Sequence, residues 1–385
     1  MSHLFHHCRV RARGAHYREV RYIGAGEGPT DETVAERSLA RTQTYAAITV
    51  AILVIAIMAA LLAMDRSDDR VERSTWAYEM VQLELVRKMG LTGEGVRVGI
   101  IDTGIDADHE CLRDAEIVAW SDLVDHRQEP YDDVGHGTAM ASIIAGHDPL
   151  LGGAEDVELI IVKVVDGSYV FSDLLIADGI DFCLDPNGDG DYSDGADIIS
   201  LSLGGRVEDI DLLVGTRTQD AITEAVANGV VVVASAGNDR DATDVSLPGR
   251  FSEVICVGAV DEHDLVAPFS SPGNVSILRP DPNRKPEVVA PGVDIYTAHP
   301  GDLYAKGSGT SHATAFTTAA LAAVLSGVPE LLHGGAEGGT ATTVAAIKTA
   351  IMTSAKPLRD QVEPHDSKAG YGLIQAVELA ILLGY

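Results

Sequence analysis

Five short apolar runs, rich in valine and isoleucine, recur between residues 96 and 260, and helical patterns fall between them. They are VRVGIID, ending on Asp102, then ELIIVKVV (158–165), ADIISLSLGG (196–205), GVVVVASAGN (229–238) and EVICVGAV (253–260). Runs this short and this β-branched predict strands rather than helices. They are apolar at successive rather than alternate positions, which predicts strands covered on both faces, as in parallel sheets. TAMASIIAG, TQDAITEAVANG and HATAFTTAALAAV predict helices. The alternation implies an α/β domain of three layers, α/β/α, around a mainly parallel sheet.

One apolar segment has a different character. YAAITVAILVIAIMAALLAM (45–64) runs for 20 residues without a charge, enough to cross a hydrocarbon core of about 30 Å as a helix. A cleaved signal peptide fits less well, because the leader is 44 residues long and LLAMD lacks the small-x-small pattern of a cleavage site. A core helix of such uniform apolarity ahead of a whole domain fits no better. The segment is read as one transmembrane helix. The chain then divides into a polar, disordered tail (1–44), the transmembrane helix (45–64), a charged linker (65–74) and a globular domain (75–385). Seven arginines precede the span, and Arg66, Arg70 and Arg73 follow it. The positive-inside rule therefore leans mildly toward a cytoplasmic N terminus, a single-pass membrane protein and an extracytoplasmic domain.

Charge narrows the partners. The chain carries a net charge of −30, and residues 75–385 hold 49 acidic against 18 basic residues. Such a surface repels phosphate backbones and excludes nucleic acid as a partner. With seven lysines against 21 arginines, it suits a protein adapted to high salt, where screening removes self-repulsion. An ordinary acidic secreted enzyme is the plainer alternative. Cys8, Cys111, Cys183 and Cys256 show no CxxC spacing, so neither a disulfide framework nor a cysteine metal site is expected. Cys256, inside an apolar run, is expected to be a buried free thiol.

The candidate chemistry lies in three glycine-bearing segments. Asp102 closes the first strand, His136 stands in DVGHGTAMASIIAG (133–146) and Ser311 in KGSGTSHATAFTTAAL (306–321). Each residue alone is more often structural. Together they supply a nucleophile, its base and the carboxylate that orients the base. Serine needs a base at neutral pH, and an imidazole of ordinary pKa near 6.5 can take its proton and return it to a leaving amine. In open α/β sheets such groups gather at the carboxyl ends of strands and at the helix N termini beyond them. Asn238, ending SAGN after a strand, is placed to donate its amide to a developing oxyanion.

DTGID, SLSLGG, SAGN, GHGTAMA, KPEVVAPGVDI (285–295), GTSHATA and the closing GYGLIQA (370–376) occur in one chain. Together they resemble the subtilisin-like serine peptidases, the subtilases, over about residues 75–385. The resemblance implies a subtilisin-like fold with Asp102, His136 and Ser311 as the triad, Asn238 as oxyanion donor, and no cofactor for the chemistry. It implies that Ser202, Leu203 and Gly204 form an edge that pairs with an extended protein or peptide substrate. Gly205 and Ala234, Ser235, Ala236 and Gly237 would help line the pocket for the residue before the scissile bond. Their small neutral side chains favour an apolar or broad preference. Asp239, Asp241 and Asp244 leave a basic preference open.

The sequence also departs from the family. His312 follows the nucleophile where methionine is common, and Ala139 follows GHGT where histidine is common. The connection after residue 146 is short, so the calcium loop many subtilases carry there is not expected. Only residues 65–74 separate the apolar span from the start of the domain, leaving no room for the usual inhibitory pro-domain. A separate calcium candidate is DPNGDGDYSDGAD (185–197), in which Asp185, Asn187, Asp189 and Asp191 alternate as in an EF-hand loop. Its twelfth position is Ala196 instead of glutamate. The overall expectation is a membrane-tethered serine endopeptidase, with a catalytically silent, membrane-tethered peptide-binding protein of the same fold as its rival.

Overall fold

A computed structural model describes residues 73–167, 172–203, 216–274 and 279–385. The apolar segment 45–64, Gly204 and Gly205 lie outside the described residues, as does the linker up to residue 72. Among the described residues no helix is long and apolar enough to cross a membrane.

The five apolar runs become β1 (Arg97–Asp102), β3 (Glu158–Lys163), β4 (Ile198–Leu201), β5 (Val231–Ser235) and β6 (Ile255–Val260). With β2 (Glu116–Asp122) and β7 (Val288–Pro291) they form a seven-stranded sheet in the order β2-β3-β1-β4-β5-β6-β7. Every neighbouring pair is parallel. The strands the hydrophobic pattern exposes are almost wholly buried. The pattern misses β2 because this edge strand is half exposed and bulged between Ile117 and Ala119, so EIVAWSD mixes polar with apolar positions. A separate antiparallel hairpin joins β8 (Ile295–His299) to β9 (Leu303–Gly307).

Two short helices, α1 (Thr75–Met80) and α2 (Leu83–Lys88), open the domain. Ser74, read as the last linker residue, is already folded in. Its hydroxyl accepts from Tyr296 N–H at 2.9 Å and donates to the carbonyl of Asp294 at 3.3 Å. Around the sheet lie α3 (His136–Ala145), α4 (Asp173–Leu184), α5 (Thr216–Ala227), α6 (Thr310–Leu325), α7 (Ala341–Ser354) and α8 (Ala376–Leu383).

All sixteen residues of α6 are buried. Its alanines let the helix approach the sheet closely, and the hydroxyls of Thr314 and Thr317 are satisfied within the helix by the carbonyls of Thr310 and Ala313. Phe316 on α6 meets the edge of Tyr78 on α1, ring centroids 4.9 Å apart, and so ties the opening helices to the core. Buried charge is paired. Glu287, fully enclosed, accepts from Lys285 at 2.8 Å, from Lys348 at 2.7 Å and from the N–H of Cys256 at 2.8 Å. Burial pushes the Lys285 amine down to about 8. Cys111, Cys183 and Cys256 are buried free thiols, as expected for Cys256.

Candidate active site

From β1 the chain crosses to β2 and β3 on one side; from β3 it returns to β4 and continues to β7 on the other. The crevice at the carboxyl ends of β1 and β4 is therefore the switch point of the sheet, the place where open α/β folds bind ligands. Asp102 ends β1, Ser202 follows β4, and Asn238 lies just beyond β5. His136 and Ser311 open α3 and α6. Groups far apart in sequence thus converge because the strands end together.

Asp102 is fully buried, and its Oδ1 accepts from His136 Nδ1 at 2.7 Å and from the N–H of Thr103 at 2.7 Å. Nδ1 of His136 is thereby the protonated nitrogen, and Nε2 is left as the basic one. Burial lowers the pKa of His136, but the Asp102 carboxylate, its hydrogen bond and the charge of Asp132 outweigh this and raise it above the ordinary value of 6.5.

Asp132 is the organising residue that the sequence reading missed. Its Oδ1 accepts from the Thr103 hydroxyl (2.9 Å) and the N–H groups of Val134 (3.1 Å) and Gly135 (2.7 Å). Its Oδ2 accepts from the N–H and hydroxyl of Thr138, at 2.9 and 2.7 Å. Five donors hold its pKa below the usual carboxylate value against the effect of burial. It thereby caps the start of α3 and fixes the turn carrying His136. Thr103 closes the circuit by accepting from Gly137 N–H at 2.8 Å. A Cβ on Gly137 would stand 2.1 Å from the carbonyl oxygen of Gly104, so only glycine lets α3 come this near the end of β1. The available signal was an aspartate placed just ahead of a helix start.

Lys163 was missed as well. This lysine ends β3 opposite Asp102, and its side chain is wholly buried. Nζ donates to the carbonyls of Thr103 (2.7 Å) and Val165 (2.9 Å) and to Asp133 Oδ1 (2.6 Å). It binds the strand end that bears Asp102 to the loop ahead of His136. A lysine set inside the apolar stretch LIIVKVV was its signal, since a buried ammonium requires partners.

On the other side, Asn238 Oδ1 accepts from the N–H of Thr310 at 2.9 Å and from its hydroxyl at 3.1 Å. Gly237 N–H donates to the same hydroxyl at 3.1 Å. These bonds dock SAGN on the start of α6 and leave the Asn238 amide nitrogen free to donate. Gly237 has φ +100°, and a Cβ there would stand 2.2 Å from Ser246 Oγ. Ser311 Oγ donates to the carbonyl of Ser202 at 3.0 Å, and Ser202 Oγ to the carbonyl of Ser311 at 3.3 Å. The nucleophile candidate is therefore turned toward Ser202, not hydrogen-bonded to His136.

The remaining expected positions divide. Ser202 and Leu203 lie beside Ser311 at the end of β4, both largely buried. Ala234, Ser235 and Ala236, expected to line a pocket, are buried instead. The first two lie inside a central strand, and Ala236 packs in a small cluster with Val245 and Cys256. Of the expected pocket residues that are described, only Gly237 is partly exposed. His312 is buried against Gly307, its Nδ1 has no hydrogen-bond partner, and burial with the nearby His136 and His299 pushes its pKa down to about 3. It is a neutral, packed side chain.

The 185–197 loop is folded on its own side chains. Asp185, Asn187, Asp189 and Asp191 each accept from backbone N–H groups of their own loop, from Gly188 to Ser193. Among the described residues no group of three or more His, Cys, Asp or Glu side chains is arranged to hold a metal ion.

The chain is similar to several known proteins. The family model described as "Subtilase family" matches residues 93–372. Subtilisin DY of Bacillus licheniformis is 34% identical over 258 residues, covering 66% of this chain and 84% of that protein. Serine protease AprX of Bacillus subtilis is 34% identical over 278 residues, covering 64% of this chain and 61% of that protein. Among solved structures, the prenylagaramide maturation protease PagA superposes with a TM-score of 0.63 at 25% identity, over 79% of this chain and 99% of that one.

Proposed function

The chain belongs to the subtilase family and is a serine endopeptidase by class; from that premise we propose that Asp102, His136 and Ser311 are its triad, with Asn238 as oxyanion donor, and that it acts while tethered to a membrane through residues 45–64. One observation carries the assignment. The paired Asp102 and His136 and the pinned amide of Asn238 converge on the N-terminal turn of the helix that presents Ser311.

Catalysis begins when the Ser311 hydroxyl turns from Ser202 toward His136, a rotation about one side-chain bond. Oγ attacks the scissile carbonyl carbon as its proton passes to Nε2 of His136. The doubly protonated imidazole keeps its Nδ1–H on Asp102, whose buried charge stabilises it. The carbonyl oxygen, now anionic, takes hydrogen bonds from the Asn238 amide nitrogen and from Ser311 N–H, which has no intrahelical acceptor in the first turn of α6. Collapse of the tetrahedral intermediate breaks the C–N bond. The leaving amine takes the proton from Nε2, and an acyl-enzyme remains on Ser311. Water then repeats the sequence, giving its proton to His136, and the acid leaves as Oγ regains it.

Ser202 and Leu203 supply the beginning of an edge for an extended substrate, with Gly204 and Gly205 continuing it in sequence. The tether rests on 20 uncharged residues in a row. The domain is assigned outside the cytoplasm, with protein or peptide substrates and no nucleic acid partner. The rival, a silent peptide-binding protein, is disfavoured by the orientation of Asn238, since a mere binding fold has no use for a free donor there. Incubating the vesicle-reconstituted full chain with a peptide library tests the proposal. Cleavage products from the wild type and none from Ser311→Ala are expected; no products from either would overturn it.

A further inference from the structure

Ten large apolar side chains are exposed among the described residues, and five of them gather at one place. Leu85 (49% exposed) and Met89 (38%) lie on α2 and its C-terminal cap; Ile381 (63%), Leu382 (51%) and Tyr385 (48%) lie on α8 and the residues after it. Leu85 and Met89 are four residues apart and share a helix face; Ile381 and Leu382 lie in the last turn of α8, and Tyr385 follows the left-handed Gly384 that ends it. The two elements are bonded together. Tyr385 Oη donates to the carbonyl of Met89 at 2.8 Å, and Val377 N–H to Gln82 Oε1 at 2.9 Å. Monomeric soluble domains seldom leave such a cluster bare without a partner.

Its place in the chain identifies the partner. Arg73, where the described chain begins, bonds Glu84 at 2.8 Å, and Glu84 adjoins Leu85. The domain thus joins its tether beside the cluster. Eight residues, 65–72, separate Arg73 from the apolar span, and eight residues reach at most about 29 Å when fully extended. On the membrane-anchored reading, so short a tether keeps the bilayer at high effective concentration for the cluster. Lys88, exposed beside Met89, is suited to headgroup phosphates. A second copy of the chain is a poorer occupant, since each copy carries −30 and the two repel.

We infer that the α2–α8 cluster is a lipid-docking face, which seats the peptidase domain on the bilayer that holds its tether. The inference rests on the membrane-anchored reading above. It carries a consequence for access. The ring of Tyr385 packs over Gly327, just beyond the C-terminal end of α6, whereas Ser311 opens that helix. Sixteen residues of α-helix span about 24 Å. The docked domain turns its active site away from the membrane, toward substrates in the aqueous phase.

The test uses the full chain in phosphatidylcholine vesicles, with Cys8→Ser and a fluorophore on Ile381→Cys or, as control, on Leu174→Cys. Leu174 is equally solvent-facing but lies in the first turn of α4, at the active-site end of the sheet. Vesicle flotation comes first; a chain that does not float overturns the anchor and this inference together. For a floating chain, brominated acyl chains are expected to quench the probe at 381 and leave the probe at 174 unchanged. Floating chain with no quenching at 381, or with equal quenching at both sites, overturns the docking face and leaves the anchor standing. Shielding of 381 from aqueous iodide without bromolipid quenching, together with cross-linked dimers, assigns the face to a second copy and equally overturns the proposal.

Discussion

Asn238 accepts the backbone N–H of Thr310 at 2.9 Å, and this one bond decides which end of its amide faces the nucleophile. Its oxygen is held by the helix that carries Ser311, which leaves its nitrogen as the group that meets developing negative charge in the proposed mechanism. Asn238→Asp keeps the acceptor and removes the donor. It is expected to lower kcat by roughly 10²–10³ with little change in KM, a magnitude that comes from subtilisin, a family member, and was not obtained from this chain. A melting temperature near that of the wild type, measured alongside, separates lost chemistry from lost folding.

Activity against pH reports His136. The imidazole must be neutral to accept the Ser311 proton, and its pKa is raised above 6.5 by Asp102 and Asp132. The acidic limb of kcat/KM is therefore expected above pH 6.5. Asp132→Asn removes a charge that favours the protonated ring, so the limb moves to lower pH. A limb that moves upward, or an unmoved one, contradicts the charge role given to Asp132.

His333 makes a second prediction in the opposite sense. Its Nδ1 faces Asp197 Oδ1 at 2.8 Å and its Nε2 faces the carbonyl of Tyr192 at 2.7 Å. Two acceptors require both nitrogens to carry protons, and Asp197 leads the causes that raise its pKa, against burial and Arg97. A raised folded-state pKa gives stability that is complete below the unfolded value of 6.5 and is lost as pH rises through the folded value. His333→Asn is expected to cost about 2 kcal/mol at pH 5.5, with the difference from wild type shrinking at pH 9. Denaturant melts at the two pH values read it.

Lys163→Met removes a buried ammonium and strands the carbonyls of Thr103 and Val165. A loss of about 3 kcal/mol is expected, with reduced kcat because Thr103 follows Asp102 directly. Urea unfolding and peptide hydrolysis measure the two effects. Unchanged stability would show that the three bonds of Lys163 are matched by water in the variant.

Salt gives a further check on composition. With a charge of −30, self-repulsion opposes compaction and is screened at molar ionic strength. The melting temperature is expected to rise steadily from low salt to 1 M. A flat response marks an ordinary acidic enzyme.

Much of this architecture was readable in the chain, for identifiable reasons. Strands buried on both faces, such as β5 and β6, leave unbroken apolar runs, and those runs were found. Asp102, His136, Ser311 and Asn238 stand at strand ends and helix starts that glycine and periodicity mark. β2 escaped because its exposed edge carries polar residues and a bulge. Ala234 and Ser235, assigned to a pocket by resemblance, are buried within β5, and Ala236 just beyond it is buried beside Val245 and Cys256. The Asp132 network was hidden for a different reason: its five donors come from four residues, and only the folded turn brings them to one carboxylate. Nor does the sequence show which way Ser311 points at rest.

Reaction with a fluorophosphonate tests the central claim most directly, because only a serine activated by its neighbours attacks phosphorus. The wild-type full chain is expected to gain one probe mass on the peptide containing Ser311, and Ser311→Ala to gain none. An unlabelled wild type, or equal labelling of the two, would contradict Ser311 as the nucleophile.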